Sequence, residues 1–273
     1  MKSGITSKRL VGRVALVTGG SKGLGRAITL RLVREGAIVV VCGRDPKGFA
    51  SIKSAVNGKS MTRKLDCVVA DVTKPEDIER LIEHIRSRHG HLDILVNNVG
   101  GVKQFGIFHE MSDKDWREVF EDNLMTTVRV TRMALPLLAH SANPSVINIA
   151  SVAGVQAGFF NCHYGSMKAA QIHLTKYLAA NYGKQGIRFN AVAPSTIQGG
   201  VWERDVKSKA DKDDTSYQVA QDALTAEVAA KSVLGSVGTS EDVAATVAYL
   251  ASDDANMITG SCINVDGGTV RAI

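Results

Sequence analysis

Tyr164 and Lys168 are the residues whose types and spacing most directly offer chemistry in this sequence. Four positions separate them, so both side chains share one face if the segment is helical. A phenol with a pKa of about 10 is a poor base at neutral pH, but a neighbouring ammonium favours the phenolate. Lowering that pKa by about three units takes about 4 kcal/mol of differential stabilisation. The pair predicts a proton donor and acceptor that works near neutral pH.

A glycine-rich motif, T-G-G-S-K-G-L-G at residues 18–25, is the second candidate site. It follows an apolar β-branched run and precedes a segment with helical spacing. Glycines allow a tight turn, let main-chain N–H groups approach a pyrophosphate, and let a helix pack closely on a sheet. Strand, turn and helix together predict dinucleotide binding, with a tight turn that binds nothing as the alternative.

The elements that must position these motifs alternate along the chain. Seven short β-branched runs occur at Val14–Val17, Ala37–Val41, Cys67–Ala70, Leu92–Val96, Val146–Ile149, Arg188–Val192 and Cys262–Val265. Segments of helical spacing lie at Leu24–Glu35, Pro75–Arg88, Asp113–Leu138, His163–Tyr182 and Glu241–Leu250. This alternation predicts an α/β fold over residues 1–273: a single-domain, Rossmann-type, doubly wound parallel sheet of about seven strands with helices on both faces. Ligands then bind beyond the carboxyl ends of the strands.

Several motifs in register resemble the short-chain dehydrogenase/reductase family, including its 3-oxoacyl-(acyl-carrier-protein) reductase-like members. Residues 18–25 match T-G-x-x-x-G-x-G, and Asn97-Asn98-Val99-Gly100 is similar to N-N-A-G. The later matches are Asn123 in a long helical segment, Ser151 at the end of the fifth run, and the Y-x-x-x-K motif of Tyr164 and Lys168. The resemblance spans roughly residues 10 to 268.

The resemblance implies hydride transfer between a nicotinamide cofactor and a carbonyl or alcohol substrate. Tyr164 is then the acid/base, Ser151 hydrogen-bonds the carbonyl oxygen, Lys168 holds the cofactor ribose, and Asn123 binds a water on a proton path to solvent. Cofactor contacts are expected from Gly19, Ser21, Lys22, Gly23, Leu24, Gly25, Arg44, Asp71, Val72, Asn97, Gly100, Tyr164, Lys168, Pro194 and Ile197. Asp71 and Val72 would border the adenine, and Asn97 the adenine ribose.

The end of the second run indicates which nicotinamide cofactor is used. NAD-binding Rossmann proteins commonly place an acid there, whereas NADP-binding proteins place a cation. Gly43 stands at the discriminating position and Arg44 follows it, so Arg44 and Lys22 are expected to flank a phosphate. The sequence therefore favours NADP(H) over NAD(H). In the alternative, Arg44 pairs with Asp45 or lies in solvent.

The segment after the sixth run departs from the family pattern. Ser195 replaces a glycine, and Gly199 stands where a threonine that contacts phosphate is common. Residues from about 195 to 235 are expected to form a lid of one or two helices over the substrate. Its pocket is expected to involve Trp202, Phe105, Phe159 and Phe160, with core packing as the alternative for the phenylalanines. His163 is expected to be a pocket wall rather than a second acid.

Composition and charge narrow the function classes. Lys and Arg total 33 against 27 Asp and Glu, but these charges are dispersed, so a nucleic-acid partner is not expected. The longest apolar run, Ala37–Cys42, is far shorter than the roughly 20 residues of a membrane-spanning helix, and no secretory signal precedes it. Four scattered cysteines and histidines without H-x-x-x-H spacing predict no metal. A cytoplasmic location is therefore expected, and the family resemblance implies a homotetramer that pairs through the segments around Trp116–Leu138 and Tyr164–Tyr182.

Three functions remain open. The first is an oxidoreductase for a ketone and a secondary alcohol, with a 3-oxoacyl thioester as one candidate substrate. Enoyl reduction is disfavoured, since the enoyl reductases of the family have about six residues between Tyr and Lys, whereas three residues stand between Tyr164 and Lys168. The third is a catalytically silent, nucleotide-binding regulator of the same fold, against which the intact set of four residues argues.

Overall fold

The computed structural model describes residues 8–56, 58, 63–199 and 201–271. Its centre is a seven-stranded sheet in the order β3-β2-β1-β4-β5-β6-β9, in which every neighbouring pair is parallel. The strands are β1 (Val14–Thr18), β2 (Ile38–Gly43), β3 (Leu65–Val69), β4 (Ile94–Asn97), β5 (Ser145–Ile149), β6 (Arg188–Pro194) and β9 (Cys262–Val265). Each coincides with one predicted run, which confirms the predicted sheet.

Helices cover both faces of the sheet. They are α1 (Gly23–Arg34), α2 (Lys47–Ala55), α3 (Pro75–His89), α4 (Asp113–Val119), α5 (Thr126–Leu138), α6 (Cys162–Tyr182), α7 (Val201–Asp213), α8 (Tyr217–Lys231) and α9 (Ser240–Ala251). A wider π-helical segment, Phe120–Met125, joins α4 to α5. None of the helices in the described part of the chain is long and apolar enough to cross a membrane.

The apolar strands form the sheet because successive side chains point to opposite faces and each face meets helices. In β1, Ala15 and Val17 pack in one core with α1 and α9, whereas Val14 and Leu16 pack in a second core with α3 and α5. Every residue of β1 is buried. The sheet is therefore the rigid platform whose carboxyl edge carries the predicted motifs.

Two elements were not predicted from the sequence. Helix α2 follows β2, and a second, two-stranded parallel sheet pairs β7 (Ile197–Gln198) with β8 (Gly238–Thr239). The strands β7 and β8 flank helices α7 and α8, which form the region predicted as a lid. We call residues 195–235 the lid segment.

The prediction that Trp202 lines a substrate pocket was wrong. Its side chain is 4% exposed and packs with Val206, Ala210 and Ala220 in a small core between α7 and α8. The physical reason is that two amphipathic helices must bury their apolar stripes against each other when neither lies on the sheet. Trp202 therefore holds the lid segment together.

Candidate active site

The glycine turn lies where β1 ends and α1 begins, as predicted. Gly19 has a φ of +62°, and a Cβ there would lie 2.9 Å from Val99 Cγ2. A Cβ on Gly25 would lie 2.3 Å from the carbonyl oxygen of Gly19. A side chain at either position would push the turn away from these neighbours, so both positions require glycine for the turn to pack against α1 and the loop after β4.

Asn98 and Thr18 clamp this turn to the end of β4. Asn98 Nδ2 donates to the carbonyl oxygens of Thr18 and Gly19 at 2.9 and 3.3 Å, and the Asn98 main-chain N–H donates to Thr18 Oγ1 at 3.0 Å. Sequence reasoning quoted both residues within motifs but did not assign them this role. A polar pair at the ends of two neighbouring strands was the available signal.

The corner beyond β2 holds the predicted cofactor-discriminating residues. Lys22 and Arg44 are both exposed, and a Cβ at Gly43 would lie 2.9 Å from Ser21 Oγ. In the described structure no ion pair joins Arg44 to Asp45, whose carboxylate accepts from the Lys47 N–H instead. Two cations and a hydroxyl beside a glycine fit a phosphate-bearing ribose better than a bare 2′-hydroxyl.

The positive charge of Arg44 acts on the nearby carboxylate of Asp71. Burial acts to raise the pKa of Asp71, but hydrogen bonds from the Thr73 main chain and hydroxyl, at 3.1 and 2.8 Å, outweigh it. The Arg44 guanidinium adds to their effect, so the pKa of Asp71 is held below its usual range. Asp71 is therefore an anion beside the corner where the adenine is expected.

Two predicted cofactor residues turn their side chains away from the carboxyl edge. Val72 is 3% exposed and packs in the core under α3, and Asn97 is 2% exposed with its amide inside the protein. The expected contacts of these two residues to adenine and ribose stay predictions. Near the other end of the carboxyl edge of the sheet, Pro194 is the last residue of β6, and Ile197 of β7 pairs with Gly238 of β8.

Tyr164 and Lys168 lie on one face of α6, as predicted. Lys168 Nζ is 5.6 Å from the centroid of the Tyr164 ring. Ser151 lies two residues beyond the end of β5, and its hydroxyl is near enough to the Tyr164 phenol to lower the pKa of that phenol. Lys168 Nζ donates to the carbonyl oxygen of Ile149 at 2.8 Å and to Gln171 Oε1 at 3.1 Å. The hydroxyl, the phenol and the amine thus meet at the end of β5.

Burial sets the protonation of this group. It raises the pKa of Tyr164, and the nearby Ser151 hydroxyl only partly offsets it. Desolvation disfavours the phenolate, so a lowering of this pKa requires the charges of Lys168 and of a bound nicotinamide cation. Burial also lowers the pKa of Lys168 to about 7. A protonated phenol thus stands beside an amine that titrates near neutrality.

Asn123 occupies the π-helical segment and is fully buried. Its Nδ2 donates to the carbonyl oxygens of Gly101 and Val119 at 2.8 and 2.9 Å, and its Oδ1 accepts from the Gly101 N–H at 2.8 Å. A Cβ on Gly100 would lie 2.6 Å from that Oδ1 and 3.1 Å from Lys168 Nζ. One amide proton and the Oδ1 atom of Asn123 therefore hold the loop after β4 close to Lys168, and the other amide proton ties Asn123 to α4, a role that was not predicted.

A chain of buried polar side chains lies beneath the site and was missed by sequence reasoning. Asn97 Nδ2 donates to Thr131 Oγ1 at 2.9 Å and to Asn148 Oδ1 at 2.8 Å, and Asn148 Nδ2 donates to Thr175 Oγ1 at 2.8 Å. Thr175 Oγ1 in turn donates to the carbonyl oxygen of Gln171 at 2.8 Å. We call the buried polar network the set Asn97, Thr127, Thr131, Asn148, Lys168, Gln171 and Thr175.

Three of the four aromatic side chains predicted for the pocket are exposed. Phe159 is 94% exposed, and Phe160 and Phe105 are exposed as well. Arg204 of the lid segment stacks its guanidinium 4.8 Å from the Phe105 ring centroid and donates to the carbonyl oxygen of Val102 at 3.5 Å. His163 is fully buried, with its ring 6.0 Å from that of Trp116. In the described part of the chain no group of three or more metal-ligating side chains occurs.

Comparison with known proteins gives a consistent result. A family model described as enoyl-(acyl carrier protein) reductase matches residues 19–270. The chain is 32% identical to a 3-oxoacyl-(acyl-carrier-protein) reductase of Thermotoga maritima, over 96% of this chain and 99% of the relative. It is 34% identical to dehydrogenase/reductase SDR family member 4 of Caenorhabditis elegans, over 96% of each chain.

A solved structure agrees with these relatives in fold. The L-sorbose reductase of Gluconobacter frateurii, complexed with NADPH and L-sorbose, superposes with a TM-score of 0.90 and 28% identity, over 98% of this chain and 100% of that chain. The two proteins therefore share one fold over nearly their whole lengths. The chain belongs to the short-chain dehydrogenase/reductase family of oxidoreductases.

Proposed function

We propose that this protein is an NADP(H)-dependent reductase that interconverts a ketone and a secondary alcohol. The observation that carries the proposal is the meeting of Ser151, Tyr164 and Lys168 at the end of β5, on the same edge of the sheet as the glycine turn. A hydroxyl, a phenol and an amine in this arrangement serve proton transfer to a carbonyl oxygen.

Tyr164 supplies the proton in the reductive direction. Its phenol gives a proton to the substrate oxygen, and in the oxidative direction it removes the hydroxyl proton. Ser151 donates a hydrogen bond to the same oxygen, which polarises the carbonyl and orients the substrate. When bound, the nicotinamide supplies or accepts the hydride. Because burial raises the pKa of Tyr164, the phenol keeps its proton at neutral pH and so has one to give to the substrate oxygen.

Lys168 has two tasks in this proposal. Its ammonium lies near enough to the Tyr164 ring to stabilise the phenolate that remains after proton transfer. It would also hold the ribose hydroxyls of the cofactor. The glycine turn, with Gly19, Ser21, Gly23, Leu24 and Gly25, would receive the pyrophosphate, and Gly100, Pro194 and Ile197 would border the nicotinamide half.

The decisive variant is Tyr164→Phe, which removes the phenolic oxygen and little else. We expect turnover of a ketone with NADPH to fall by at least about 10³-fold, since both proton transfer and its driving force are lost. NADPH binding, followed by fluorescence, should be retained. Unimpaired turnover by the variant would rule out this mechanism. Wild-type NADPH binding without turnover of any substrate would instead support a regulator.

Cofactor choice is tested by titrating NADPH and NADH separately. The proposal of NADP(H) is supported by Arg44 and Lys22 with no acid at Gly43, and by the NADPH in the structure of the L-sorbose reductase. We expect NADPH to bind more tightly, and Arg44→Asp to weaken NADPH by about tenfold or more through loss of one charged contact. NADH binding should change little. Tighter binding of NADH to the wild type would overturn the phosphate assignment.

The substrate class we favour is a 3-oxoacyl thioester. Support comes from the name of the Thermotoga maritima relative and from the exposed rings of Phe105, Phe159 and Phe160, which suit an apolar chain. The description of the matching family model favours enoyl thioesters as the second candidate. A panel of 3-oxoacyl thioester, enoyl thioester, cyclic ketone, steroid and sugar, with NADPH oxidation as the signal, separates them. Because three residues stand between Tyr164 and Lys168, we expect the ketone substrates of this panel to be reduced faster than the enoyl thioester.

We further propose that the enzyme works as a cytoplasmic homotetramer. The support is the long surface formed by α4, α5 and α6, which carries the exposed aromatic side chains Phe120 and Tyr177. Light scattering should give a mass of four chains. A single monomeric species at all concentrations would contradict the proposed assembly and leave the proposed reaction untouched.

A further inference from the structure

Gln171 contacts Lys168 from within the protein. It lies on α6 three residues beyond Lys168 and is fully buried. Gln171 Oε1 accepts from Lys168 Nζ at 3.1 Å, and Gln171 Nε2 donates to Thr127 Oγ1 at 2.8 Å. Thr127 Oγ1 donates to the main-chain carbonyl of Asn123 at 3.2 Å. The side chains of Gln171 and Thr127 therefore connect Lys168 to the main chain of the π-helical segment.

The direction of the bonds fixes the orientation of the Gln171 amide. Thr127 can accept from an amide N–H because its own proton is donated to the Asn123 carbonyl. The Gln171 amide therefore turns its carbonyl oxygen toward Lys168. A flipped amide would place its NH₂ group against the amine and its oxygen against a hydroxyl whose proton is already engaged.

The same bonds determine how many donors Lys168 has left. An ammonium has three N–H donors, and the carbonyls of Ile149 and Gln171 take two of them. One donor remains for the Tyr164 side. If the amine is neutral, both of its N–H groups are engaged and its lone pair remains instead.

We propose that Gln171 is a positioning residue for the reaction: together with the Ile149 carbonyl it holds the Lys168 amine, and Thr127 and the Asn123 carbonyl keep the Gln171 amide in the orientation that does so. This inference rests on the proposed function of Lys168. The amide does not titrate near neutral pH and transfers no proton in the reaction, so its contribution is to the position and the charge state of Lys168.

The surroundings of Lys168 allow this effect to be isolated. The π-helical segment, α5, the end of β5 and the loop at Gly100 present it with Asn123, Thr127, the Ile149 carbonyl and glycine main chain, none of which titrates. In the described structure, Tyr164 is the titratable side chain that contacts Lys168. Burial is the cause that lowers the pKa of Lys168, with no carboxylate counteracting it.

A substrate-free test uses the pH dependence of stability. Lys168 has a folded-state pKa of about 7, whereas its ordinary pKa is 10.5. Between these values the unfolded chain binds more protons, so the contribution of Lys168 to stability rises with pH across that window and is flat below it. The difference in thermal midpoint between wild type and Lys168→Met, measured from pH 5.5 to 10 in roughly half-unit steps, isolates this rise.

Two Gln171 variants should shift the onset of that rise, the pH at which the contribution of Lys168 to stability begins to increase, in opposite directions. Gln171→Leu removes the acceptor and should shift the onset to lower pH by about one unit, whereas Gln171→Glu adds a negative partner and should shift it to higher pH. Each variant is compared with its own Lys168→Met double variant. Thr127→Val, which frees the amide to turn, should shift the onset in the same direction as Gln171→Leu but less. Ser145→Ala is the control, since it loses an equally buried hydroxyl bond, to the Leu250 carbonyl, at the other end of β5.

Turnover provides the second measurement. We expect Gln171→Leu to lower kcat for ketone reduction by about tenfold, the effect of one hydrogen bond to a charged group, with the KM for the ketone little changed. Opposite onset shifts and a reduced kcat support the inference. An onset that does not move in any variant, or that moves equally in Ser145→Ala, overturns it. Absence of wild-type turnover with every ketone defeats the proposed function instead, and leaves the stability test of Gln171 standing.

Discussion

The buried polar network and the lid segment are built in opposite ways. The network joins β4, β5, α5 and α6 through hydrogen bonds between buried side chains. The lid segment has a core of four small-to-large apolar side chains, Trp202, Val206, Ala210 and Ala220, and most of its remaining surface is exposed. Buried hydrogen bonds specify one geometry because any alternative leaves polar groups unpaired, whereas a small apolar core tolerates movement.

The comparison separates two tasks of an enzyme. The groups that transfer protons need fixed positions, and the network supplies them. The lid segment, with its small core, is the part that we propose opens to admit a substrate and closes over it. We therefore expect equivalent changes in the two regions to have unequal effects.

The largest effect is expected for Asn148→Leu, which keeps the side-chain volume but removes the centre of the network. Asn97 and Thr175 each lose a partner in a dry environment, at about 1–3 kcal/mol for each unsatisfied group. We expect the free energy of unfolding to fall by about 3 kcal/mol in urea denaturation. Gln218→Leu, which breaks the exposed bond of Gln218 to Asp222 in α8, should cost less than about 0.5 kcal/mol. Equal losses would remove the distinction between the regions.

A smaller global effect is expected for Trp202→Ala in the lid segment. A Trp→Ala change in a main core costs about 3–5 kcal/mol. If the lid segment opens on its own, the change acts mainly on that opening. We expect hydrogen exchange or proteolysis of α7 and α8 to accelerate by at least about tenfold, with the free energy of global unfolding lowered by less than about 1 kcal/mol. A global loss of the full core magnitude would show that the lid segment unfolds only with the sheet.

The smallest effect is expected for Arg204→Ala, at the contact between the lid segment and the loop that contains Val102 and Phe105. The change removes the stacking on Phe105 and the bond to the Val102 carbonyl. An exposed cation–π contact contributes about 0.5–1 kcal/mol, so the KM for the ketone should rise by about two- to fivefold with kcat unchanged. Lys207→Ala, at a neighbouring exposed position of α7, is the matched control. A changed kcat would place Arg204 in the chemical step instead.

Much of the architecture was predictable from local pattern. The seven runs of β-branched residues, the helical spacing between them and the glycine turn all appear where the sequence placed them. Helix α2 escaped prediction because it is short, and β7 and β8 because two-residue strands carry no periodicity to detect. The error at Trp202 came from treating an aromatic residue in a lid as a pocket wall without counting what the lid itself must bury.

The candidate site was predictable in its residue types and not in its supporting contacts. Tyr164 and Lys168 share a helix, so their common face follows from spacing alone. Gln171 and Thr175 continue that face, and Asn148 interrupts an apolar strand, which were signals that could have indicated the buried polar network. Their partners on α5 and β4 lie dozens of residues away, so no local pattern pairs them.

The sequence by itself determined the order of strands and helices, the turn that receives a dinucleotide and the pairing of a phenol with an amine, because each depends on residues within a few positions of one another. Only the tertiary structure decided the protonation of that pair and the contacts that hold it. Burial raises the pKa of Tyr164 and lowers that of Lys168 because distant segments exclude water from both. Desolvation is a property of the assembled surroundings and is absent from the local spacing of residues.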